Sequence, residues 1–189
     1  MRWIRHSRLE GQHAFLGASK HSWLGYDEEK LTESYFSYLA SKRGTELHEL
    51  AAKLISNKVK LENNRRTLNM YVNDAIDLGM TPEQPLYYSD NCFGTADAIL
   101  YEDKMLRIHD LKTGVTTVTD KSGKLPQLEI YAALFFLEYD LDLRDTDIEL
   151  RVYQNDDIIV ERPYIEDIAP IMDKIISFDK LIEQIKREE

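Results

Sequence analysis

The chain has 189 residues, of which 43% are apolar and 31% charged, and its net charge is -10. That length and balance predict a single globular domain over residues 1–189, able to bury about 70% of its unfolded surface without staples. Its one cysteine, Cys92, excludes an internal disulfide, a structural zinc ribbon and a four-cysteine cluster, and it fits a reducing compartment.

The negative charge argues against a protein that simply coats nucleic acid, because that affinity rests on many Lys and Arg contacts to phosphate. The charge is uneven, however. Residues 1–66 hold 12 Lys and Arg against 8 Asp and Glu, whereas residues 67–189 hold 12 against 26. A polyanion is therefore expected to meet the N-terminal third, with Arg2, Arg5, Arg8, Lys42, Arg43, Lys53, Lys58, Lys60, Arg65 and Arg66 as candidate contacts and Trp3 and Trp23 for stacking. No apolar run approaches a membrane span, and the start MRWIRHSRLE lacks the apolar core of a signal peptide. The expectation is a cytoplasmic protein with no membrane partner.

Taken in chain order, residues 28–40 and 45–57 read as two helices, the second with Leu47, Leu50, Ala51, Leu54 and Ile55 on one stripe. A third helix, 68–78, stops at Gly79, and the following TPEQP reads as a turn. Strands are predicted at 85–89, 94–101 and 105–112, rich in Tyr, Ile and Leu and separated by short polar turns. A helix at 125–139 follows. Residues 148–153 and 158–162 then read as strands around the turn QNDD, and 165–187 as a long amphipathic helix whose role could be subunit contact. This order predicts an α/β fold with a central mixed β-sheet flanked by helices.

The second and third of these strands carry the chemistry. In KMLRIHDLK, strand alternation puts Leu106, Ile108, Asp110 and Lys112 on one face and Met105, Arg107, His109 and Leu111 on the other. Asp110 and Lys112 thus project side by side. The preceding strand presents Thr95, Asp97 and Ile99 on one face, and the YEDK linker is what an antiparallel turn between the two would look like. Two carboxylates from neighbouring strands can then converge on one divalent cation, with a lysine beside it for a phosphate.

Two further features join them in chain order. GTELH, residues 44–48, opens the second predicted helix, and Gln127 and Tyr131 stand four apart on the helix after the strands. Helical GxxxH, strand GxxD (Gly94 to Asp97), DxK followed by Thr-Gly (Asp110 to Gly114) and helical QxxxY together resemble the PD-(D/E)XK nuclease superfamily, in its RecB-like exonuclease branch. The motifs span residues 44–131. They suggest a motif-bearing core at about 44–162, an N-terminal helical part at 1–43 and a C-terminal helix at about 165–187.

The resemblance implies a restriction-endonuclease-like core and a Mg2+- or Mn2+-dependent DNA exonuclease, of the type found in phage or prophage recombination, repair or end processing. It also implies roles. His48, Asp97, Asp110 and the carbonyl of Leu111 would hold the metal; Asp97, Asp110 and Lys112 would be catalytic, with Lys112 against the attacking water and the scissile phosphate; Gln127 and Tyr131 would organise that lysine and the DNA backbone. Read without the resemblance, His48 lies at the border of an apolar stripe, where a lone histidine is more often structural, and Tyr131 and Gln127 could be a packed ring and a turn cap near Pro126. Glu49 is an outside candidate for the metal. Cys92 alone cannot supply the iron-sulfur cluster that some relatives carry, and no GxxxxGK motif provides a motor. Implied partners are DNA, a recombination protein such as a single-strand annealing protein, and further copies of the chain. The alternative reading is a non-catalytic DNA-end binding or adaptor subunit of a recombination or spacer-capture complex.

Overall fold

The computed structural model describes residue 7 and residues 14–114, 118–120 and 123–188. Arg2, Trp3, Arg5 and Arg8 lie outside the described residues. The chain divides into two compact units, residues 1–45 and 46–189. In the smaller unit, Phe15, Tyr35 and Tyr38 form a ring cluster with centroids 5.1 to 6.1 Å apart. Trp23 donates its indole N–H to the Gly17 carbonyl at 3.0 Å, so part of its polar edge is already engaged within this unit.

Helix α1 runs Glu28–Ser56 without interruption, where the sequence suggested two helices meeting near Gly44. A glycine inside a helix costs only about 1 kcal/mol relative to alanine. Strong helix formers on either side outweigh it, and Thr45 returns its hydroxyl to the Ser41 carbonyl at 3.3 Å. His48 therefore sits mid-helix and not at a helix start. Its neighbour Glu49 is exposed.

The larger unit is built on one five-stranded sheet, β1 (Thr81–Ser89), β2 (Cys92–Glu102), β3 (Met105–Leu111), β4 (Asp147–Gln154) and β5 (Asp157–Glu161), arranged in that order. All neighbouring pairs are antiparallel except β3 and β4, which run parallel. Helix α3 (Pro126–Tyr139) makes the crossover that a parallel pair requires. Two of the three antiparallel hairpins turn on two residues with positive φ, Asp103 and Lys104 after β2, Asn155 and Asp156 after β4. That backbone matches the twist of the strands it joins. The mixed sheet flanked by helices is the α/β class predicted from the element order.

Two cores sandwich the sheet. On one face Leu86, Ile99, Leu106, Ile108 and Leu150 pack against α3 and against Ile168 of α4 (Ile165–Glu188). On the other, Ala98, Leu111 and Tyr153 pack against Ala51 and Ile55 of α1 and Tyr71, Val72 and Ala75 of α2 (Thr67–Leu78). Helix α2 ends at Gly79, whose φ of 74° closes a left-handed cap.

The segment TPEQP is a correction: it is not a turn but the first half of β1. Each of its two prolines lacks a ladder donor. β1 lies at the sheet edge, and an edge strand tolerates proline. Lys112, predicted as the last residue of β3, stands one residue beyond its end.

His109 is fully buried on the α2 side, away from the α3 core that its neighbour Ile108 joins. Its Nδ1 lies 3.2 Å from the hydroxyl of Tyr153, which donates to Asp74 at 2.7 Å. Because the tyrosine proton is committed to Asp74, His109 donates from Nδ1. Burial, reinforced by Arg151, pushes the imidazole down to about 3, so it is neutral. Tyr153→Phe keeps the ring contact with Tyr71, 5.5 Å between centroids, but strands the buried N–H. The expected cost is about 1–3 kcal/mol in denaturant unfolding. An unfolding midpoint equal to the parent's would mean that a water or another group replaces the hydroxyl.

Candidate metal centre

Strands β2 and β3 pair from Glu102↔Met105 to Ala98↔His109 and then separate. β3 continues along β4, its pairing carried to Leu111↔Tyr153, and the Lys112 N–H goes to the Tyr153 carbonyl at 3.0 Å. The buried side chain of Gln154 donates to the Gly114 carbonyl and ties down the next turn. A gap is left between β2 and β3 at the carboxyl end of β3, where open α/β sheets bind ligands. Asp97 reaches across this gap and accepts the Leu111 N–H at 2.9 Å.

The sheet is irregular at the same point on its other side. Glu83 and Asp97 fall opposite each other in register, yet they are missing from a ladder that otherwise runs unbroken from Thr81↔Ile99 to Tyr87↔Phe93, and Glu83 has φ 50°. Strict alternation fails across them. Ala96 and Ile99 share the α3-side core while Ala98 lies in the other. A positive φ at a non-glycine residue is costly, and at Glu83 it accompanies a carboxylate brought to the site. Potential ligand atoms of His48, Glu83 and Asp97 all lie within 4.8 Å of one another. The His48 Nδ1 is 3.2 Å from the Asp97 Oδ2.

Asp110 projects from β3 beside this group without joining it. Its carboxylate is 2% exposed and lies 3.0 Å from the Lys112 ammonium. Lys112 also donates to Gln127 at 2.8 Å, and Gln127 donates to the Tyr131 hydroxyl at 3.2 Å. The chain of contacts from Asp110 to Tyr131 thus crosses from β3 to α3. Gly94 completes it, because a Cβ there would come 2.8 Å from the Tyr131 ring. The start of α3 is fixed independently: the Leu125 N–H goes to Glu161 at 2.7 Å, and Lys124 bridges Asp167 and Glu129.

The electrostatics follow from crowding acids in a partly dry gap. Burial first, and then the charge of Asp97, push the Asp110 carboxyl up to about 6 against the pull of Lys112. Glu83 is raised by burial and Asp97, with His48 opposing. The hydrogen bond to Asp97 raises His48. Asp110 Oδ2 is buried, with no hydrogen bond among the described residues beyond its 3.0 Å ion-pair contact with the Lys112 ammonium. Carboxylates held at such mutual cost, together with an imidazole nitrogen, form a donor set that suits a hard or borderline divalent cation.

The structure thus brings His48 and Asp97 together directly, sets Asp110, Lys112, Gln127 and Tyr131 in one connected row beside them, and holds the Leu111 N–H on Asp97 while its side chain is core. Sequence reasoning missed Glu83, which lies within the presumed turn. The available signal was an acid between prolines preceding an apolar strand, placed to face Asp97 once the strand is extended backward.

Residues 83–157 match the model of a family described as "Protein of unknown function (DUF2800)". The match covers less than half of the chain, taking in Glu83, Asp97, Asp110, Lys112, Gln127 and Tyr131 and leaving out His48. No curated protein matches the chain. Among the described residues no helix is long and apolar enough to cross a membrane.

Proposed function

We propose that this protein is a Mg2+- or Mn2+-dependent deoxyribonuclease with a restriction-endonuclease-like core, acting as an exonuclease in phage-type DNA recombination, repair or end processing. The observation that carries this reading is the lysine. Lys112 is held by a buried aspartate and by Gln127, next to a gap lined by Asp97, Glu83 and His48. A surface ion pair needs none of these supports.

The donor set fits a divalent cation, with His48, Asp97 and Glu83 as the grouped ligands, Asp110 alongside and the Leu111 carbonyl as the backbone candidate. A bound Mg2+ or Mn2+ supplies a Lewis acid for the phosphate and lowers the pKa of a bound water. The protein's own residues supply position and charge. Lys112 places a cation where a phosphate's negative charge grows during attack by water. Asp110 and Gln127 fix the ammonium from two sides, which limits its reorganisation cost at the moment of reaction. Tyr131 in turn holds Gln127. The Leu111 N–H orients Asp97 and keeps one carboxylate oxygen aimed across the gap.

DNA is the proposed substrate, the cytoplasm the proposed setting, and a single-strand annealing protein the proposed recombination partner. Purified protein is expected to degrade end-labelled DNA with Mg2+ or Mn2+, to stop when chelator is added, and to turn over poorly with Ca2+, which prefers a looser shell. Labels on either end read out polarity. Cleavage unaffected by chelator would defeat the metal mechanism, and binding of DNA ends without cleavage under any of these cations would favour the adaptor.

A further inference from the structure

Helix α4 carries an apolar stripe that outruns the core. Its first half, through Ile168, Ile171, Met172 and Ile175, packs into the α3-side core. Beyond it Phe178, Leu181, Ile182 and Ile185 continue on the outside, 57%, 53%, 37% and 50% exposed. At helical spacing these four fall within an arc of about 100°.

That face is held outward. The β1–β2 turn grips α4 from another side: Ser89 donates to Asp179 at 2.6 Å, and Asn91 donates to Asp179 and Glu183 at 2.8 Å each while accepting from Lys186 at 2.6 Å. The gripped residues lie about a third of a turn around the helix from the middle of the stripe. The clamp therefore keeps the last turns of α4 from rolling the stripe onto the sheet. Four large apolar side chains on one fixed helical face form a contiguous patch of the kind that marks an interface.

The charges at its ends identify the occupant. Lys174, whose ammonium lies 5.8 Å from the centre of the Phe178 ring, stands at the start of the exposed stretch and Glu188 at its end, both close to the stripe's own face and neither in an ion pair among the described residues. An antiparallel second α4 centred on Leu181 sets Lys174 of each copy against Glu188 of the other, with Phe178 near Ile185. Residues 174–188 hold four Lys and Arg against three Asp and Glu, so this segment escapes the strong negative charge of the rest of the chain and two copies need not repel.

We infer that α4 pairs with α4 of a second copy, antiparallel about Leu181, to form a symmetric dimer. One helix-to-helix contact of this length lies near the low end of specific interfaces, so the expected association is weak and reversible.

Sedimentation equilibrium of the full chain tests it. The parent should approach twice the chain mass at high micromolar concentration, and Leu181→Asp should return it to single mass with an unchanged circular dichroism spectrum. Lys174→Glu should weaken association by roughly tenfold, and adding Glu188→Lys should restore it. In a Cys92→Ser background, Leu181→Cys should oxidise to a crosslinked dimer. Ser177→Cys should not, because the two copies of residue 177 would be about 12 Å apart along the axis. A parent that stays monomeric, a dimer untouched by Leu181→Asp, or equal crosslinking at 177 and 181 would each overturn the pairing, and the first would assign the stripe to a different partner.

Discussion

Lys112→Ala is expected to lower the rate of DNA cleavage by roughly a hundredfold or more, because a positioned ammonium acts on charge that develops only in the transition state. Cation and DNA binding should persist, since no grouped ligand is removed. The geometry adds a consequence for stability. Asp110 is 2% exposed and takes its charge compensation from Lys112, so alanine leaves a buried carboxylate without its cation. An unpaired buried acid answers by taking up a proton or by lowering stability, by about 1–3 kcal/mol. Unfolding of Lys112→Ala and of Lys112→Ala with Asp110→Asn separates the two effects: the double variant should regain most of the lost stability and none of the activity. Single-turnover cleavage at the parental rate by a folded Lys112→Ala protein would mean that another group does the chemistry.

Asp97→Asn should lose cation binding and activity together. One carboxylate oxygen of Asp97 faces both His48 Nδ1, at 3.2 Å, and the Leu111 N–H, at 2.9 Å. The amide can still accept from Leu111, so the gap between β2 and β3 keeps its shape. What disappears is the negative charge at the centre of the donor set. Removing even an outer partner of a metal ligand costs roughly 10- to 100-fold in affinity, and a central carboxylate should cost at least that much. Calorimetry with Mn2+ on the folded variant measures it. His48→Ala and Glu83→Gln should each weaken Mn2+ less than Asp97→Asn does, because the carboxylate that touches both His48 and the Leu111 N–H is kept in either case. Parental Mn2+ affinity in Asp97→Asn would move the cation away from this gap and detach the proposed chemistry from it.

Much of this arrangement was legible in local sequence because local rules govern it. The two-residue turns at Asp103 and Asn155, the cap at Gly79 and the alternation of Leu106, Ile108 and Asp110 depend on neighbours within a few positions. Asp97, Asp110 and Lys112 could be placed on adjacent strands for the same reason. Gln127 and Tyr131 share a helix face by spacing alone.

Tertiary structure decided the rest. Whether Pro82 and Pro85 end a strand depends on which strand lies at the sheet edge, and sequence order does not state that β1 has a free side. Without β1, Glu83 has no address, and its left-handed backbone opposite Asp97 cannot be anticipated. Gly44 looked like a break because its helix penalty is a local quantity, whereas packing of Ala51 and Ile55 against α2 rewards continuation into the core. The parting of β2 from β3 is likewise not local: β3 follows its parallel partner β4, which arrives only after a helical crossover, and that choice opens the gap into which Asp97 and His48 project.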